Sequence, residues 1–261
     1  AFLERGDAVA ALATASRQVT AEYWAPYLAH ATMEPANCTV FVKGETAEVW
    51  APTQVPRFAR DAVAKVLGMS AEAVVLHQPT LGGGFGRRLE VDYVAQAAQV
   101  AKAMPGVPVQ TVWSREQDTQ HDFYRPACLS SFRAGLDTAG RIVSWQNTSA
   151  GQPITPAYMH RHLGFPEMGA DTATSEGAFD QAYEFPAARV AHVAVPLPIP
   201  VGFWRAVGHS HQAFFKEGFL DEVAHAAGRD PLLYRSDLLA NHPRQRRVLP
   251  GGRSHMDSFD G

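Results

Sequence analysis

Residues 80–90 read Thr-Leu-Gly-Gly-Gly-Phe-Gly-Arg-Arg-Leu-Glu, with Gly82, Gly83, Gly84 and Gly86 crowded around Phe85. Glycine reaches backbone conformations closed to other residues, so this run belongs at a sharp turn or a close backbone approach. Before it, residues 72–78 (EAVVLHQ) read as a strand; after it, residues 90–104 (EVDYVAQAAQVAKAM) carry helical spacing. Pro105-Gly106 ends that helix and residues 107–114 (VPVQTVWS) supply the next strand. The order strand, glycine loop, helix, strand commits this part of the chain to an α+β fold, with mixed sheets and packed helices.

The flanking sequence extends the pattern. Residues 7–16 read as a short alanine-rich helix, and residues 38–52 as a hairpin around Lys43-Gly44-Glu45. From Pro56 the apolar positions Phe58, Ala59, Ala62, Val63, Val66 and Leu67 recur at helical spacing and stop near Gly68. Residues 126–137 and 141–151 flank Asp137-Thr138-Ala139-Gly140 as a second hairpin. Residues 209–228 form an amphipathic helix, and Asp230 with Pro231 starts another. Residues 151–200, rich in proline, glycine and alanine, predict a long surface excursion, with a seam near 146–155. Three regions follow: 1–150 with the glycine loop, 151–247 as excursion and helical continuation, and 248–261 as a polar tail, disordered or non-native.

A net charge of −3 lacks the basic excess of nucleic-acid binding or attraction to anionic membranes. Cys38 and Cys128, the only cysteines, stand too far apart for a Cys-rich metal site or disulfide framework. The apolar stretch 191–204 is repeatedly broken by proline, so no membrane span is expected. The chain opens on Ala1 without the order of a secretory signal, and its start reads as internal.

Spacing tests the glycine loop. A dinucleotide fingerprint fails because Arg87 stands three residues after Gly84, and no Walker lysine follows. Two readings stay open: backbone N–H groups and Arg87/Arg88 facing an oxygen-rich anion, or a glycine turn with a surface arginine pair. His209 and His211 lack a third metal ligand and read as polar loop residues. His30 and Glu34 fit buried hydrogen bonding better than acid/base work, and residues 114–122 (SREQDTQHD) read as a solvated charged face.

Five blocks in order, residues 29–38 (AHATMEPANC), 48–56 (EVWAPTQVP), 82–88 (GGGFGRR), 112–126 (VWSREQDTQHDFYRP) and 203–224 (FWRAVGHSHQAFFKEGFLDEVA), carry a resemblance. They resemble the molybdopterin-binding large subunit of the xanthine dehydrogenase/aldehyde oxidase family, in its isoquinoline 1-oxidoreductase-like, aldehyde dehydrogenase-like branch. The likeness runs over residues 15–247 and implies the first part of the molybdenum cofactor-binding domain. It implies molybdopterin with molybdenum, in bacterial relatives often as the cytosine dinucleotide. Electrons would leave through [2Fe–2S] clusters on a small partner subunit, with a cytochrome c as one candidate acceptor. The reaction implied is oxidation or hydroxylation of a substrate with water as oxygen donor.

By the same resemblance, Gly83, Gly84, Phe85, Gly86 and Arg87 bring the loop against the cofactor. Gln54 would donate a hydrogen bond to a molybdenum oxo group, and Arg205 would bond pterin or phosphate oxygens. Xanthine-oxidising members keep a glutamate where Leu89 stands and a phenylalanine where Val207 stands. Leu89 and Val207 therefore point to an aldehyde or N-heteroaromatic substrate. The family's catalytic glutamate belongs to a C-terminal part expected as a further partner, so no catalytic residue is expected in this chain, which alone is expected to be inactive. The alternative is a catalytically silent fragment or assembly domain.

Overall fold

The computed structural model describes residues 1–166, 169 and 171–240. β1 (Leu3–Arg5), α1 (Ala8–Ala13) and β2 (Arg17–Ala25) come first, and Asp7 caps α1 by accepting from the Val9 and Ala10 amides. The expected hairpin follows as β3 (Asn37–Lys43) and β4 (Thr46–Trp50), turning on Gly44 at φ +60°. α2 (Pro56–Leu67) begins on proline, whose missing N–H is dispensable in a first turn, and stops at left-handed Gly68. β5 (Val74–His77) pairs parallel with β4; α3 (Asp92–Lys102) leads to β6 (Val109–Val112), antiparallel to β3. The sheet runs β5-β4-β3-β6. Ala59 and Val63 of α2 and Val94, Ala97 and Ala101 of α3 join Val40, Val42 and Val49 in its core. Small side chains let helix and sheet approach closely.

The stretch 114–122 forms α4 (Arg115–Gln120), which exposes Ser114, Glu116, Gln117, Gln120 and His121 as the charged face expected there. A capping box of Ser114 and Gln117 nucleates it, and Asp118 and Asp122 are buried rather than solvated. β7 (Cys128–Leu136) and β8 (Ile142–Gly151) form the second expected hairpin, with the Asp137 carboxylate accepting from the Ala139 and Arg141 amides. α5 (Ile154–Leu163), α6 (Thr172–Ser175) and β9 (Ala188–Ala194) follow, then α7 (Gly208–Ala226) and α8 (Pro231–Leu239). The second sheet runs β1-β9-β8-β7-β2. Phe215, Phe219 and Val223 of α7 cover Phe132 and Trp145 of the sheet; Trp145 stacks on Phe185 at 4.6 Å.

One expectation for the middle of the chain needs correction. Residues 151–200 are not only a surface excursion: Ile154, Thr174, Phe185 and Val190 are buried, and β9 pairs parallel with β8. The partner strand of β9 lies far back in sequence, beyond α5 and α6, so no local hairpin signal marks it. Residues 146–155, where a seam is expected, cover the end of β8 and the start of α5, while residues 37–112 hold all four strands of the smaller sheet. The tail expected at 248–261 lies outside the described residues.

His211, on α7, is buried against α6, and its Nε2 lies 3.2 Å from the Thr174 carbonyl. Burial pulls its pKa down from 6.5 to about 4; the Thr174 carbonyl pushes the other way, while Arg125 and His192 add to the fall. The unfolded chain therefore binds a proton that the folded chain refuses throughout this window. Stability present above 6.5 drains as pH falls towards about 4, by up to about 3 kcal/mol from this group. Urea midpoints at neutral and mildly acidic pH should show His211→Gln losing less stability on acidification than the parent.

Candidate functional site

The glycine loop lies between β5 and a 3-10 turn at Arg87–Leu89. Its backbone is bare by necessity. A Cβ on Gly84 would stand 2.6 Å from Gln54 Oε1, and one on Gly86 only 1.7 Å from the Phe203 carbonyl oxygen. Gly83 and Gly86 adopt φ +105° and +107°. Phe85 sits between them at φ +52° and is 44% exposed. An L-residue held left-handed, with an aromatic ring in solvent, marks a strained position of the kind that clusters at ligand sites.

Gln54 is locked to this loop. Its backbone N–H donates to the Arg88 carbonyl at 2.9 Å, and its Oε1 accepts from the Gly86 amide at 3.0 Å. The Gly86 N–H donor fixes which way the Gln54 side chain is turned, and leaves Nε2 as an exposed donor with no partner among the described residues. Glu34 secures the other end of the loop, accepting from the Gly82 amide at 2.8 Å and from Asn37 at 2.9 Å.

The surface arginine pair is corrected outright. Arg87 and Arg88 are 1% and 0% exposed, and both turn inward. Arg87 makes a bidentate pair with Asp92 at 2.9 and 2.8 Å and lies 3.2 Å from Asp122. Tyr93, Trp113 and Phe123 surround its guanidinium at 5.9, 5.6 and 5.3 Å. Burial alone would pull the Arg87 pKa down, but the Asp92 and Asp122 carboxylates raise it. Arg88 donates to the Glu34 and Pro35 carbonyls at 2.8 and 3.0 Å. The two cations anchor the loop from beneath, and its upper face is left to backbone.

Sequence patterns missed how this anchoring closes. Asp122 accepts from the His30 amide at 2.6 Å, and its carboxylate lies 2.9 Å from His30 Nδ1. His30 Nε2 in turn lies 2.8 Å from the Phe203 carbonyl, the same oxygen that Gly86 underlies. Arg87, Asp122, His30 and Phe203 thus form one buried circuit holding the chain at 203 over the loop. His30 and Glu34 take the structural hydrogen-bonding roles read for them. Glu90, one residue past Leu89, is buried between Arg161 at 2.5 Å and His162 at 3.1 Å. Burial would raise its pKa, but hydrogen bonds from His162 and Arg161 lower it. No local spacing joins residues so far apart; only Asp and His in one charged stretch hinted at it.

The remaining expected residues lie around this frame. Arg205 is exposed, with no ion pair or hydrogen bond of its guanidinium among the described residues. Ala206 and Val207 follow at φ +64° and +47°, a strained turn into α7. Leu89 is half-buried in the 3-10 turn and Val207 half-buried at the helix start. The structure joins Gln54, Gly84 and Gly86 directly, and reaches the Arg205 turn through Phe203. His209 and His211 lie on α7 rather than in a loop. Residues 195–201 span a neighbouring cavity of about 500 Å³, walled also by Phe123, Ala157 and Arg161.

A family model described as "Molybdopterin cofactor-binding domain" matches residues 1–237. The chain belongs to the molybdopterin cofactor-binding domain family. A membrane-bound aldehyde dehydrogenase of Gluconacetobacter polyoxogenes, whose name specifies pyrroloquinoline quinone, is 32% identical over 88% of this chain and 30% of its own length. Isoquinoline 1-oxidoreductase subunit beta of Brevundimonas diminuta is 28% identical over 84% of this chain and 28% of its own. This molybdopterin-domain chain therefore spans under a third of the length of these relatives. The aldehyde oxidoreductase of Desulfovibrio gigas shares its fold, with a TM-score of 0.71 at 21% identity, over 90% of this chain and 25% of that one. The mixed α+β architecture is that of molybdenum hydroxylase large subunits. No helix among the described residues is long and apolar enough to cross a membrane.

Proposed function

We propose that this chain is the front part of a molybdenum hydroxylase large subunit, and that residues 82–86, Gln54 and Arg205 form one wall of the cofactor seat. The observation that carries this reading is the bare backbone over Gly84 and Gly86, where a Cβ would collide with Gln54 or Phe203. Such a surface suits a flat, oxygen-rich group that must approach main chain. Gln54 offers one oriented donor without charge, and Arg205 an uncommitted cation for a pterin or phosphate oxygen. Arg87 contributes through the loop it anchors rather than through its guanidinium. When bound, molybdopterin supplies the two-electron redox chemistry, which is the cofactor's own.

Leu89 and Val207 favour a weakly polar substrate, an aldehyde or N-heteroaromatic, over xanthine, and the two named relatives act on substrates of those classes. The cavity beside Phe123 is apolar enough for the same chemistry. The assembly proposed includes a small [2Fe–2S] subunit and the remainder of the large subunit, with the cofactor as the cytosine dinucleotide. Metal analysis and pterin extraction of the protein purified with its partner chains test this. Stoichiometric molybdenum with pterin is expected. Absence of both in the complete assembly would sink the enzyme reading in favour of a silent assembly domain, and a quinone without molybdenum would replace the cofactor.

A further inference from the structure

The interface between the second sheet and α6/α7 is aromatic around Trp145 but polar near α6. Ser149 of β8, Thr174 and Ser175 of α6, and His211 and Gln212 of α7 are all buried there, with His192 of β9 beside them. Within this layer the hydrogen-bond accounting does not close. The Thr174 carbonyl only accepts, so His211 Nε2 carries the ring proton and Nδ1 is a bare lone pair. That Nδ1 is buried with no donor. Both ends of the Gln212 amide, the Ser175 hydroxyl and His192 Nε2 are likewise buried without a partner.

Ser175 follows Thr174 on α6, and His211 and Gln212 are consecutive on α7, so these side chains lie where the two helices meet. Thr174, next to Ser175, touches His211; Gly177 stands so close that its Cβ would lie 3.3 Å from Gln212 Cβ. His192 Nδ1 lies 2.8 Å from Ser149 Oγ, which leaves its Nε2 for something else. Buried polar groups in native proteins almost always find a partner, either protein or ordered water.

We propose that His211 Nδ1, the Gln212 amide, Ser175 Oγ and His192 Nε2 bind internal water between β9, α6 and α7. Their chemistry selects water over an ion. The Gln212 amide donates at one end and accepts at the other, His211 Nδ1 accepts, and Ser175 does both. None of the four side chains carries a charge to balance a buried ion, whereas a neutral molecule that both donates and accepts satisfies the set. Burial lowers the pKa of both imidazoles, which keeps the site uncharged at neutral pH.

The water site has a structural task. Gly208 begins α7, and a Cβ there would stand 2.4 Å from the Ala173 carbonyl, so α6 presses on the helix start. The residue before it is Val207, in its strained turn. Bridging water ties α6 to α7 where that turn is set. This inference does not depend on the cofactor reading.

A crystal structure of the full chain, at a resolution that shows ordered solvent, is the direct test. Density for water within hydrogen-bond reach of His211 Nδ1 and at least one of the other three side chains is expected. A dry layer, side chains turned to pair with one another, or density that refines as an ion overturns the proposal. In solution, long-lived water should give cross-relaxation to the His211 ring protons. Gln212→Met should lose that signal and lower the melting temperature. If Gln212→Met keeps the water signal and the parent's melting temperature, the site is not what holds the layer together.

Discussion

Gly86→Ala is expected to lose about 3–5 kcal/mol of stability and to abolish cofactor retention, because backbone meets backbone at that point. The new Cβ would lie 1.7 Å from the Phe203 carbonyl oxygen, on a residue at φ +107°. No rotamer can relieve the clash, since the backbone fixes where a Cβ stands and the atom it meets is a backbone oxygen. Either the loop drops away from Phe203, or Phe203 is driven off His30, which holds its carbonyl at 2.8 Å. Both routes move the Arg205 turn relative to Gln54. The control is Gly44→Ala, where φ is +60° but nothing lies within 4 Å of the added Cβ. Only the left-handed penalty of about 1–2 kcal/mol applies there. Denaturant titration of both variants, with molybdenum content measured beside it, separates collision from strain. Equal losses would show that the close approach at Gly86 does not matter.

Arg87→Met should cost roughly 3–5 kcal/mol, because it strands buried carboxylates. Asp92 loses both bonds of a bidentate pair, and Asp122, at 1% exposure, keeps His30 but loses its nearby cation. Three aromatic rings are left facing a thioether where they faced a charge. Arg87→Lys should recover only part of the loss, since an ammonium cannot reproduce the planar fork between Asp92 and the rings. The comparison is Arg57→Met, whose partner Asp61 is an exposed i,i+4 neighbour; that change should fall within about 0–1 kcal/mol. Guanidinium melts of the three variants would read the ranking. If Arg87→Met behaves like Arg57→Met, the inward anchoring described here is wrong.

What the residues revealed beforehand follows from how local each signal is. The hairpin at Gly44 and the one at Asp137 were legible because a turn is specified by its own few residues. The 56–67 helix was legible from its spacing, its opening proline and its closing glycine. The glycine loop's need for bare backbone was legible too, although which atoms approach it was not. Arg87 and Arg88 misled because charged side chains are rarely buried without partners, and their partners at Asp92, Asp122, Glu34 and Pro35 are invisible to composition. Asp122 was hidden inside a charged stretch that looks solvated. β9 was hidden because its pairing with β8 skips over α5 and α6, so no local register announces it. Gln54 looks like any turn residue until its Oε1 is seen on the Gly86 amide.

The order of the strands also has a bearing on how this chain acquires its shape. β2 and β7 lie side by side over nine paired positions, ending with Ala25 opposite Cys128, yet the whole smaller sheet is threaded between them. In folding terms, residues 26–127 are a single enormous loop that must close before β2 can pair with β7. The entropy of closing an unstructured loop of that size is substantial, though it grows only slowly with length. If the inner sheet condenses first, that loop is shortened to two short tethers, and β2 meets β7 almost as hairpin partners do. The Arg87–Asp122–His30 circuit straddles the two tethers, so it latches the closure once it is made. The residues that hold the candidate site in shape are therefore also those that mark when the two halves of the fold have found each other.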